Sequence, residues 1–108
     1  MPDAPWHENN PRDCAMLVTL NVIGGKWKPA VLHLLVYRPM RFSEMRRAIP
    51  EISQKVLTQR LRELEQDDIV HREVFPEVPP RVEYSLTPRG QTLVPILQSL
   101  FAWGEANR

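Results

Sequence analysis

The stretch Pro76-Glu77-Val78-Pro79-Pro80 restricts the fold of this 108-residue chain more tightly than any other. On either side stand runs with strand character, Ile69 to Phe75 and Arg81 to Leu86. Proline has no N–H for a β-ladder, so three prolines in five residues cannot prolong a strand. They must form the loop at the tip of a hairpin. A lone hairpin is barely stable in water, so its inner face must pack against something else. Everything before it reads as helical, which predicts an α+β fold, mostly α.

The helical part divides at its own punctuation. Residues 1–13 carry three prolines, two asparagines and several charges, and read as a flexible arm in which Trp6 is the odd member. Residues 14–108 form one domain. Leu17, Leu20 and Ile23 recur at about one helical turn, with Met16 and Val22 widening the stripe, until Gly24-Gly25 stops the first helix. A second begins near Lys26, tolerates Pro29 in its first turn, buries Trp27, Val31, Leu34 and Leu35, and closes at Pro39. Arg41-Phe42 is a short extended link. Ser43 then reads as the N-cap of a short helix with Met45 and Ile49 turned inward, and Ser53 as the N-cap of a longer one ending at Asp67-Asp68. After the hairpin, Thr87-Pro88 starts a single closing helix that carries Leu93, Ile96, Leu97, Leu100, Phe101 and Trp103.

The net charge is only +1, but it is unevenly spread. Between Arg38 and Arg62 stand seven cations against two anions, a local +5, while residues 63–108 carry four cations against eight anions. On a helical wheel, Val56 or Leu57, with Leu61 and Leu64, fall on one side of the helix after Ser53. Lys55, Thr58, Gln59 and Arg62 share the other, and that stripe contains no acid. Such a stripe, with Gln54 beside it, offers donors for phosphates and side chains that reach base edges in a major groove. Arg46 and Arg47 on the preceding helix are placed to grip the backbone, with Arg41 in the link before them as a further candidate contact, and Ser43 and Ser53 stand where helix N-termini favour anions. Arg81 at the hairpin tip is the candidate for a minor groove or a phosphate. The competing reading of the stripe is a solvated polar face, and of the tip a rigid turn.

In four stretches the chain resembles the HxlR-type winged helix-turn-helix regulators, relatives of the MarR-like group. They are VIGGKW from Val22, RFSEMRRAIP from Arg41, ISQKVLTQRLREL from Ile52 and VPPRVEYSLT from Val78. The similarity runs from about Cys14 to Gly104. It implies a homodimer, joined through its terminal helices, that binds an inverted-repeat operator in double-stranded DNA, more commonly as a repressor. Ser53 to Arg62 would be the major-groove helix and Glu77 to Arg81 the wing. Members of the family often sense electrophiles or oxidants through a cysteine just before the first helix, where Cys14 stands. Two positions depart from the pattern: Ala15 stands where proline is common, and Asp68 where glycine is usual. Aspartate tolerates the left-handed conformation better than most residues.

Cys14 is the only cysteine, so no intrachain disulfide is possible and any oxidative switch needs a bridge between subunits, an adduct or simple thiol oxidation. A helix N-terminus and Arg12 would favour a reactive thiolate, and Asp13 would oppose them. The alternative is an inert small apolar residue. His7, His33 and His71 lack ligand spacing, so no metal or other cofactor is expected. Leu17, Leu20, Leu93, Leu97, Leu100, Phe101 and Trp103 exceed what so small a domain can bury, which predicts a dimer interface. No apolar run approaches a membrane span, and the first residues do not resemble a signal peptide, so a cytoplasmic protein is expected. No glycine-rich phosphate loop or catalytic arrangement is present, so an enzyme is not expected. The remaining alternative is a winged helix used only for protein–protein assembly, which predicts weak or salt-insensitive DNA binding.

Overall fold

The computed structural model describes residues 14–108; the expected arm, with Trp6 and the Arg12 and Asp13 neighbours of Cys14, lies outside the described residues. The elements are α1 (Ala15–Ile23), α2 (Lys28–Tyr37), α3 (Phe42–Ala48), α4 (Gln54–Gln66), β1 (Val70–Phe75), β2 (Arg81–Leu86), α5 (Pro88–Gln91) and α6 (Val94–Asn107). This is the mostly helical α+β winged helix-turn-helix. The strands form an antiparallel hairpin in which Val70 faces Leu86 and Phe75 faces Arg81, so Pro76 to Pro80 is its tip.

The core lies where α2, α3, α4 and the root of the hairpin meet. Val31, Leu32, Met45, Ile52, Leu57, Leu61, Leu64 and Ile69 are 0–2% exposed. Leu57, Leu61 and Leu64 are the apolar stripe expected of α4, and Val56 beside them is half-buried. Burying each such side chain contributes roughly 1.5–3 kcal/mol, which makes this stripe the chief anchor of α4.

Both ends of α4 follow from local chemistry. The Ser53 hydroxyl accepts a hydrogen bond from the Val56 amide at 3.1 Å, satisfying one of the orphan donors of the first turn. At the other end Asp68 has φ 58°, the left-handed conformation that turns the chain into β1. Thr87 then stitches the far end of the hairpin to that turn. Its hydroxyl donates to the Asp68 carbonyl at 2.6 Å and accepts from the Gly90 amide at 2.9 Å.

Several boundaries differ from the expectation. The helix α2 starts at Lys28, and its buried face includes Lys28 and Leu32, while Trp27 and Leu34 are only half-buried. Arg41, not Ser43, precedes the first turn of α3; its amide donates to the Glu44 carboxylate at 2.8 Å, so Glu44 supplies the cap and Ser43 sits inside the helix. Met40 pairs with Tyr84 through two backbone bonds of 2.9 and 2.8 Å, adding a one-residue third strand to the hairpin. The closing helix is two helices. Pro95 has no N–H to offer the Gln91 carbonyl, and Thr92 and Leu93 bond three residues back, to Arg89 and Gly90, so the chain bends between α5 and α6.

Candidate DNA-binding face

The turn from Pro50 to Ile52 anchors the start of α4 through Ile52, which is 1% exposed. With Leu57 and Leu61 turned inward, Gln54, Lys55, Thr58, Gln59 and Arg62 line one shallow depression on the opposite side. All are exposed except Thr58, which is half-buried and donates its hydroxyl hydrogen to the Gln54 carbonyl at 2.8 Å. No acid lines this depression. Lys55 and Arg62 make no ion pair among the described residues. Arg60, on the flank of α4, is different: Glu63 takes its charge at 2.6 Å. The Glu63 carboxyl is held below its ordinary range first by the Arg60 hydrogen bond, then, against the opposing effect of burial, by Lys28.

Two further depressions border the start of α3. Arg41, Phe42 and Ser43 face the hairpin tip, Glu77 to Val82, across one of them. Arg38, Arg41, Ser43, Glu44, Arg47 and Glu83 line the other, a strongly polar one. Arg41 and Ser43 belong to both, so the start of α3 is shared between the wing and the basic flank. Sequence reasoning counted Arg38 in the basic stretch but not among the contacts; it stands at the end of α2 and bonds Glu44 at 3.2 Å. Glu44 is held below its usual range chiefly by the Arg41 amide, and then by Arg38.

Two expected contacts are placed less freely than the sequence suggested. Arg81 is bound by Glu83 at 2.5 Å and Glu77 at 3.2 Å, and its guanidinium lies 3.9 Å from the centre of the Phe75 ring. The charge of the wing is thus largely satisfied within the hairpin, and Val78, fully exposed, forms its outermost apolar point. Arg46 is half-buried, and its Nε is enclosed without a hydrogen-bond partner among the described residues. Arg47 is exposed.

Cys14 stands immediately before α1 and is half-buried, and its thiol makes no capping bond. On the proposed interface, Leu17, Leu20, Leu100, Phe101 and Trp103 are 39–70% exposed. Leu93 is half-buried, and Leu97, at 3%, is part of the core behind that face rather than on it. His33 stacks on Phe101 with ring centres 4.7 Å apart. No cluster of metal-ligating side chains occurs among the described residues, and none of their helices is long and apolar enough to cross a membrane.

Residues 22–108 match the family described as HxlR-like helix-turn-helix. The HTH-type transcriptional regulator YybR of Bacillus subtilis is 52% identical over 99 residues, 92% of this chain and 79% of its own. The redox regulator HypR, solved in its oxidized form, superposes with a TM-score of 0.86 at 54% identity, covering 88% of this chain and 98% of that one. The transcriptional regulator YodB of B. subtilis, solved in its reduced form, gives a TM-score of 0.76 at 41% identity over 87% of this chain and 93% of its own. The chain belongs to the HxlR-like helix-turn-helix family: it is a DNA-binding transcriptional regulator, not an enzyme.

Proposed function

We infer that this protein is a homodimeric repressor that reads an inverted-repeat operator with α4 and releases it when Cys14 is modified by an oxidant or electrophile. The observation that carries the reading is the acid-free depression of Gln54, Lys55, Thr58, Gln59 and Arg62, free of the core and held at its N-terminus by Ser53. Amides and a guanidinium on one helix face match the donor and acceptor edges of the major groove, and Lys55 matches a phosphate. Ser53, Arg41, Ser43, Arg46 and Arg47 flank α4 as backbone contacts, and the wing tip completes the footprint. The dimer is supported by the apolar residues left exposed on α1 and α6. Cys14 as the sensor is supported by its place at the start of α1 and by the likeness to a redox regulator. With one cysteine in the chain, the switch is a bridge between subunits, an adduct or thiol oxidation. Such a protein acts where the chromosome is, in the cytoplasm.

The test is binding to fragments of the upstream DNA at two salt concentrations. Specific binding that weakens steeply with salt is expected, with Lys55→Ala and Arg62→Ala each lowering affinity on the order of tenfold. Hypochlorite or quinone should release the operator from the wild type but not from Cys14→Ser. Binding no tighter than to random duplex, for fragments and for a random-sequence selection alike, would leave the protein–protein module as the better reading.

A further inference from the structure

The mechanism above uses none of the acids of α4. Glu63 and Glu65 lie at the end of the helix away from the reading stripe, where they repel phosphate least, yet both are engaged. Glu63 meets Lys28 at 3.5 Å, and Glu65 meets Arg72 at 3.4 Å. Lys28 is the first residue of α2 and is only 8% exposed, while Arg72 is on β1. Among the described residues, Lys28–Glu63 is the one ion pair that joins α2 to α4.

Position on the helix gives these pairs their meaning. Residues two apart lie about 200° apart around a helix axis. Taking Leu57, Leu61 and Leu64 as the inward direction, Glu63 falls on one flank of that stripe and Glu65 on the other. Apolar packing is non-directional, and a cylinder seated on three leucines can roll on its bed. Two ionic tethers, one on each flank, oppose a roll in either direction. An ion pair buried on one side is a poor source of net stability, because desolvation offsets attraction, so its use is more readily geometric. The exposed Glu65–Arg72 pair is weaker, and the Lys28 pair is the principal tether.

We propose that Lys28 and Glu63, assisted by Glu65 and Arg72, are positioning residues that fix the rotation of α4 about its own axis and thereby set operator specificity. The proposal rests on α4 being the reading helix. Base-edge hydrogen bonds demand that rotation, whereas phosphate contacts made by long cationic side chains tolerate its loss. Loss of the clamp should therefore weaken specific binding and spare non-specific binding.

The full-length protein is titrated with an operator duplex recovered from a random-sequence pool and with a random duplex of equal length. Lys28→Met and Glu63→Gln should each lower operator affinity on the order of tenfold. Both should leave random-duplex affinity within about twofold, and Lys28→Arg should retain most of the specificity. The two variants change net charge in opposite directions, so a purely long-range charge effect moves them oppositely. Opposite movement, or an unchanged operator affinity in either variant, overturns the proposal. Glu63 is partly open to solvent, so Glu63→Gln carries the test if Lys28→Met does not fold. Hydrogen exchange is measured on the same proteins without DNA. Faster exchange in residues 54–62 with α6 unchanged is expected, and unaltered exchange in α4 overturns the clamp. If the wild type shows no operator preference, the reading of α4 fails on its own, and this exchange arm still decides the clamp.

Discussion

Gly90 sits against the chain at the root of the hairpin, and a Cβ built on it would lie 2.2 Å from the carbonyl oxygen of Ile69. That oxygen is backbone, held in place by the Thr87 amide at 3.0 Å, so it cannot swing aside as the end of a side chain would. The Gly90 amide is in turn the donor that the Thr87 hydroxyl accepts. One glycine therefore lets α5 lie close to the start of β1 and lets a buried threonine satisfy three backbone groups. Gly90→Ala should cost about 2 kcal/mol or more through forced backbone displacement. Urea unfolding should show this as a lowered midpoint with an unchanged slope. A loss below about 0.5 kcal/mol would mean that the α5–β1 approach opens without resistance. Nothing in the sequence singles out Gly90, because a close approach between residues 21 positions apart leaves no local periodic signal. Asp68 was legible only through the family resemblance, in which glycine is usual at its position, and its φ of 58° is the left-handed turn that glycine would make.

The hairpin was legible as an element, from prolines and β-branched residues alone, with its limits correct to within one residue. The electrostatics of its tip were not. Arg81 is an accessible cation in the sequence, but Glu83, two residues on, projects from the same face of the strand, and Glu77 reaches it across the turn. In α4 the same kind of reading succeeded because helical spacing assigns side chains to faces directly: Lys55, Gln59 and Arg62 are exposed together, and Leu57, Leu61 and Leu64 are buried together. In α6 it failed at Pro95, where an apolar stripe conceals a break in backbone bonding. The tethering of Arg81 has a measurable consequence for the wing. Arg81→Met in the otherwise native chain should leave the salt dependence of operator binding nearly unchanged. Glu77→Gln with Glu83→Gln should free the guanidinium for a phosphate and steepen log K against log salt by about 0.9, one released counterion. Adding Arg81→Met to that double variant should abolish the gain. A gain that persists would come from the removed acids themselves, and Arg81 would have no part in it.

At the scale of the whole molecule, two residues one turn apart on α6 separate folding from the proposed assembly. Leu97 is 3% exposed and belongs to the core, whereas Leu100, one turn on, is 50% exposed. The helix α1 repeats the contrast: Ile23 is buried, but Met16, Leu17, Val18 and Leu20 are 39–64% exposed. A nine-residue helix with one buried residue has little to hold it in water, since isolated helices this short are marginal. A second copy that covers α1 and α6 would stabilise both, and any such dimer binds the folded chain only, so its melting temperature must rise with protein concentration. The wild type should sediment as a dimer at micromolar concentration and show that rise. Leu100→Asp should sediment as a monomer, melt at a temperature independent of concentration, and bind an operator with two half-sites no better than one with a single half-site. Leu97→Ala should lose about 2–5 kcal/mol from the cavity it leaves, yet keep the concentration dependence, because its side chain stands behind the interface. If the wild type sediments as a monomer with a fixed melting temperature, each chain must read its site alone. A preference for half-sites one DNA turn apart, roughly 34 Å, would then have no structural basis.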